Sequence, residues 1–172
     1  MKANVLWFTG LSGAGKTTIA IGLSKALKKY GKKVKIIDGD EIRNSIHSKL
    51  SFTPKDIEKN NQLIAQLCKN IINNHNFIVV PIISPFRRSR KAAKELIGAS
   101  FTEVYVKTSL QTVIKRDVKG LYKKALKGEI ENFIGIDNNV PYEVPINPSI
   151  TINTELEPPD ESINKIIKYL NL

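Results

Sequence analysis

The stretch FTGLSGAGKTTIA, residues 8–20, decides the fold. Inside it, Gly10 to Thr17 reads Gly-Leu-Ser-Gly-Ala-Gly-Lys-Thr and fits the pattern G-x-x-x-x-G-K-[ST]. Glycines at 10, 13 and 15 let the backbone curl without Cβ clashes, so successive N–H groups face inward and form a nest for phosphate oxygens. A helix that starts near Lys16 adds the positive end of its dipole. Lys16 is suited to neutralise the β- and γ-phosphates of a nucleotide, and Thr17 to ligate Mg²⁺. The flanks supply the context that a chance match lacks. NVLWFT (4–9) is a short apolar run that reads as a buried strand, and Ile19, Leu23, Ala26, Leu27 and Tyr30 recur at helical spacing up to a stop at Gly31.

Further elements alternate in the same way. Strands are expected at KVKIID (33–38), NFIVVPII (76–83), FTEVYV (101–106) and ITIN (150–153). Thr53 and Pro54 mark a helix start, followed by an apolar face of Ile57, Ile64, Leu67, Cys68, Ile71 and Ile72. A last helix carries Ile163, Ile166, Ile167 and Leu170 after the Pro158-Pro159 break. Strands alternating with helices imply an α/β protein: a three-layer P-loop NTPase fold, with a five-stranded parallel sheet covered by helices on both faces. Ligands of such sheets bind at the C-terminal ends of the strands. Residues 1–172 are expected to form one domain, with a basic lid over about 116–145.

Composition narrows the class. The net charge is +11, yet arginines are few and no basic block is interleaved with stacking aromatics. An anion site and a lysine-rich surface explain the charge better than nucleic acid, which is not an expected partner. No apolar run approaches the ~20 residues of a membrane span, and the chain runs straight into its first strand, so neither a membrane nor a leader is expected and the location reads as cytoplasmic. The lone cysteine, Cys68, excludes an internal disulfide. The guanine-reading Asn-Lys-x-Asp of GTPase switches is absent, which favours a small-molecule kinase.

The acceptor side is read from three segments. IIDGDEIRNSI (36–46) ends the second strand at the crevice with Asp38, Gly39, Asp40 and Arg43. A carboxylate there accepts the proton of an attacking hydroxyl or supports Mg²⁺. Asp40 is favoured for the acceptor and Asp38 for metal or loop support; helix capping by Asp40 is the plainer alternative. PIISPFRRSR (81–90) brings Ser84 to the same crevice with Arg87, Arg88 and Arg90 beside it, suited to bidentate phosphate contact, with at least one of the three expected on a solvated face. KRDVKGLYKKALKGEIENFIGID (115–137) gathers Arg116, Lys119, Lys123, Lys124 and Lys127 on a segment suited to closing over the transferring group, and Phe133 there offers a stacking face.

Taken in order, GLSGAGKTT, DGDEIR, the set Phe52, Asp56 and Asn60, ISPFRRSR, RDVKGLYKKA, GEI, Phe133 with Gly135 to Asp137, and Tyr142 to Pro145 resemble the adenylylsulfate kinase family over essentially the whole chain. The resemblance implies an ATP-dependent homodimer that phosphorylates the ribose 3′-hydroxyl of adenosine 5′-phosphosulfate, with ATP and Mg²⁺ as cofactors. It implies nucleotide contacts at Gly10, Ser12, Gly13, Ala14, Gly15, Lys16, Thr17, Thr18 and Arg116. It implies a small-molecule acceptor lined by Asp40, Arg43, Phe52, Asn60, Ile83, Ser84, Lys119 and Phe133, the two phenylalanines clamping the base. Lys16, Asp40 and Asp38 form the expected catalytic group, and Thr17 the expected metal ligand.

The chain departs from the pattern where the family typically reads D-R-x-x-N-x-x-R. Here the segment is DIEKNNQL, so Ile57 and Leu63 stand in place of the two arginines. Ile134 and Leu126 also depart, in FIGID and KKAL. Replacing the first arginine removes a bidentate donor expected on the acceptor's anionic tail. The alternative acceptor is that of a relative, cytidine diphosphoramidate kinase of capsule synthesis, which phosphorylates the same hydroxyl. A non-catalytic nucleotide sensor is the remaining reading.

Overall fold

The computed structural model describes residues 4–39, 42 and 50–172. Five strands form one sheet: β1 (Asn4–Thr9), β2 (Val34–Ile36), β3 (Phe77–Pro81), β4 (Phe101–Lys107) and β5 (Ile150–Asn153). Their order is β2-β3-β1-β4-β5 and every pairing is parallel. The expected doubly covered parallel sheet is therefore the observed one.

Alternation along β1 shows how the layers are made. Leu6 and Phe8 face one side, Val5 and Trp7 the other, and all four are fully buried. The first face packs on α1 (Lys16–Lys29) and α6 (Pro159–Tyr169) through Ile19, Leu23, Leu27, Ile163 and Ile166. The second packs on α2 (Pro54–Ile71) and α3 (Arg87–Ile97) through Ile64, Cys68 and Ala93. Burial pushes the Cys68 thiol up to about 12, so it stays neutral and inert as a core residue. Helix α2 begins as its sequence predicts: the Thr53 hydroxyl accepts from the Asp56 N–H at 3.3 Å, and Pro54 sits in the first turn.

Two strands are shorter than the apolar runs suggest. The run at 33–38 yields β2 over Val34–Ile36 only, because the Asp38 carbonyl accepts from the Ile42 N–H at 3.0 Å and the chain turns. The run at 76–83 yields β3 over Phe77–Pro81, and past it Ser84 takes a left-handed φ of 44°. Both breaks fall at the C-terminal edge of the sheet. Helices α4 (Leu110–Arg116) and α5 (Leu121–Leu126) follow β4, and residues 127–149 cross back over that edge without regular structure.

Candidate active site

The phosphate grip grows out of β1. A Cβ on Gly10 would lie 2.5 Å from the Val106 carbonyl oxygen of β4, so no larger residue fits there. Gly15 caps α1 at φ 96° and offers no side chain, and the first turn of α1 holds no acidic residue. The positive end of that helix is thus suited to an anion. Lys16, itself buried, arches back over the loop and donates to the carbonyls of Gly10 (2.9 Å) and Leu11 (2.7 Å).

Side chains from distant elements hold this loop. The Thr154 hydroxyl after β5 donates to the Ala14 carbonyl at 3.0 Å and pairs with the Thr108 hydroxyl at 2.7 Å. Arg116 donates to the Thr154 carbonyl at 2.7 Å. From α5, the Tyr122 hydroxyl donates to the Ser12 carbonyl at 2.9 Å. Burial, with Asp117 nearby, pushes the Tyr122 pKa up, so the phenol keeps the proton it donates. Sequence reasoning missed Tyr122 and Thr154, because nothing local marks a side chain whose partner lies over a hundred residues away.

The facing wall is the chain after β3. Thr9 donates to the Ile83 carbonyl at 2.7 Å, tying the ends of β1 and β3 together. With that proton engaged, the 2.9 Å contact between Thr9 Oγ1 and Tyr142 Oη has the phenol as donor. Burial, the main cause, raises the Tyr142 pKa and keeps it protonated. Ser84 is buried, and its Oγ has no hydrogen-bond partner.

The arginines beside this wall behave differently from the phosphate-binding reading. Arg90 is 3% exposed and fully engaged within the protein. Its guanidinium donates to the carbonyls of Ser84 (2.6 Å), Pro85 (3.0 Å) and Glu143 (2.6 Å), and pairs with Glu103 at 2.8 Å. Arg87 donates to the Val144 carbonyl at 2.8 Å, and Arg88 pairs with Glu58 on the surface. The fork of Arg90 satisfies main-chain oxygens that a bent loop leaves orphaned, a demand that outcompetes a soluble anion.

Between grip and wall lies a cavity of about 520 Å³, in the range of small-molecule sites. From the grip it is lined by Ser12, Gly13, Gly15, Lys16, Thr17 and Thr18. Asp38, Phe52, Asn60, Ile83 and Ser84 line the opposite side, and Lys119 and Phe133 come from the segment after α4. Phe52 is about half exposed, whereas Phe133 meets Tyr122 edge-on with ring centroids 4.9 Å apart. Gly10, Ala14 and Arg116 are not on the cavity wall: Gly10 and Ala14 are covered by their neighbours, and Arg116 lies against Thr154. Asp40 and Arg43 lie outside the described residues.

Ile57 is 2% exposed and packs with Phe86, Ile134 and Val140 in a small apolar cluster; Ile57 and Ile134 also line the cavity. Two of the positions that depart from the family pattern thus meet in one place. The remaining two do not join them: Leu63 is half-buried and Leu126 is exposed.

A parallel sheet in this strand order, a glycine nest at the end of β1 and a second-ligand cavity beside it define a P-loop kinase. The chain belongs to the adenylylsulphate kinase family, whose model matches residues 2–153. It is 45% identical over 167 residues to an adenylyl-sulfate kinase of Pseudomonas aeruginosa, covering 96% of this chain and 84% of that one. It is 41% identical over 167 residues to one from Clostridium kluyveri, covering 97% and 83%. Among solved structures it resembles the Mycobacterium tuberculosis APS kinase CysC in complex with AMPPNP and APS, with a TM-score of 0.93, 33% identity and 99% of both chains covered. It is accordingly a phosphotransferase with a hydroxyl acceptor and ATP as the family's phosphate donor.

Proposed function

We propose that this enzyme transfers the γ-phosphoryl group of ATP to the ribose 3′-hydroxyl of an activated nucleotide, with adenosine 5′-phosphosulfate as the acceptor to which the names of its relatives point. The observation that carries the reading is one continuous cavity, walled by Lys16 and Thr17 on one side and by Phe52, Asn60 and Phe133 on the other. Such a cavity brings donor phosphate and acceptor sugar together in one water-poor space. Lys16 leaves the loop carbonyls to meet the β- and γ-phosphates. The loop segments on the cavity wall, Ser12 and Gly13 and then Gly15 to Thr18, hold the phosphate chain, with Gly10 and Ala14 shaping the loop from behind and Arg116 flanking its outer side.

Asp40 orients the hydroxyl and takes its proton, Arg43 and Asn60 hold the acceptor's tail, and Phe52 and Phe133 clamp its base. Thr17 and Asp38 both line the cavity and offer the oxygen donors that a hard divalent cation requires. Mg²⁺ held there would offset charge on the transferring group. The chain acts as one domain, 1–172, with residues 116–145 as the lid, and as a cytoplasmic homodimer.

A specific observation favours a second acceptor. Where the family pattern has an arginine, Ile57 is sealed into an apolar cluster with Ile134. Position 57 thus offers a sulfate tail no guanidinium, which suits cytidine diphosphoramidate, whose tail has an N–H donor where the sulfate has only acceptor oxygens. The test is ATP consumption with the two acceptors side by side, in wild type and Ile57→Arg. Faster turnover of the phosphosulfate by wild type supports the first acceptor, and faster turnover of the amidate the second. On the second reading, Ile57→Arg raises phosphosulfate activity relative to amidate activity; an unchanged ratio counts against the tail argument. ATP consumption that no nucleotide acceptor stimulates would sink the kinase scheme.

A further inference from the structure

Asn61 lies one helical turn after Ile57 on α2, is 3% exposed, and lines the same cavity. Its Nδ2 donates to the Ile57 carbonyl at 2.7 Å. That bond fixes the amide's orientation, because the reverse flip would set two oxygens against each other. Oδ1 is therefore turned away from the helix backbone, and it is buried with no hydrogen-bond partner. A buried acceptor left unpaired costs free energy, and such atoms persist where something else completes them. Ser84 Oγ, also on the cavity wall, is unpaired as well, but a hydroxyl both donates and accepts and so selects nothing. An amide oxygen only accepts.

We propose that Asn61 is a specificity-determining residue, its Oδ1 receiving an N–H or O–H of the acceptor molecule. The inference rests on the kinase reading above and deepens it. Terminal sulfate or phosphate oxygens cannot fill the role, since they too only accept. Besides the 3′-hydroxyl that reacts, a nucleotide offers a donor in three places: an N–H on the base, the ribose 2′-hydroxyl, or an amide on the phosphate tail. One shared chemistry covers all three, and matched pairs separate them.

The test measures kcat/KM for ATP-dependent phosphorylation, in wild type and Asn61→Leu, on three pairs of acceptors. The pairs are cytidine and 2-pyrimidinone nucleotides, ribo- and 2′-deoxyribonucleotides, and amide- and oxygen-terminated diphosphates. The expected result is a preference of about tenfold for the donor-bearing member of one pair. Asn61→Leu abolishes that preference, leaves the other two ratios alone, and does not change KM for ATP. A merely structural asparagine would alter thermal stability and leave all three ratios in place. Asn61→Ala replaces the leucine variant should the latter not fold. Preference in no pair, or preferences that survive both substitutions, overturn the inference while leaving the kinase intact. Wild type that phosphorylates neither these nucleotides nor adenosine 5′-phosphosulfate overturns both.

Discussion

The two walls of the cavity are made of different material. The grip wall is main chain: a loop bent by glycines, held by Thr154 on Ala14 and by Tyr122 on Ser12. The acceptor wall is side chain: Phe52, Ile57, Asn60, Asn61 and Ser84 from α2 and the two segments leading into α2 and α3. Main-chain N–H groups are the same in every sequence, so a wall built from them binds whatever phosphate enters. Side chains can be exchanged one at a time, so the other wall sets which molecule is phosphorylated. The departures from the family pattern that reach the cavity, Ile57 and Ile134, both belong to the acceptor side.

This contrast can be broken most directly at Lys16. Lys16→Ala is expected to lower kcat by roughly 10²–10³-fold, the scale of losing one charged contact to the transferring group. The loss should be the same for every acceptor in steady-state assays. A variant that hurts one acceptor and spares another would mean the walls are not independent.

The next largest effect is expected at Arg90, which joins the acceptor wall to the strap at Glu143. Arg90→Ala strands the partly buried Glu103 carboxylate and three carbonyls, a change of the kind that costs about 3 kcal/mol. Urea unfolding should record it as a lower midpoint. ATP affinity, which belongs to the other wall, should stay near that of wild type in the folded fraction.

The smallest effect lies behind the grip. Hydrogen bonds from Ser109 hold the exposed Glu155 carboxyl down at about 2, from an ordinary value of 4.5. A depressed carboxylate adds stability above its unfolded pKa and loses it as pH falls toward its folded one. The loss therefore falls between pH 4.5 and about 2. Ser109→Ala should flatten the decline of Tm across that window and change little at neutral pH. An unaltered slope would show that these bonds do not couple to folding.

The architecture was legible from the sequence because its signals are local. Alternation along NVLWFT, the Thr53-Pro54 start and the glycine spacing each act within a few residues, and each appears where expected. Strand ends were less legible: apolar runs continue past β2 and β3 because residues beyond each strand's end still pack into the core, as Ile37 and Ile82 do. The arginine cluster misled for a related reason. Arg90 is anchored by Glu103 and by the carbonyl of Glu143, neither of which is near it in the chain.

By itself the sequence determined that a phosphate nest would stand at the end of a central strand, since a loop's curvature depends on residues adjacent to one another. Only the tertiary structure decided what faces that nest. It packed Ile57 against Ile134, left the Asn61 oxygen unpaired and committed Arg90 to the backbone. Each of these depends on which distant segments the sheet order brings together, and burial converts that proximity into chemistry.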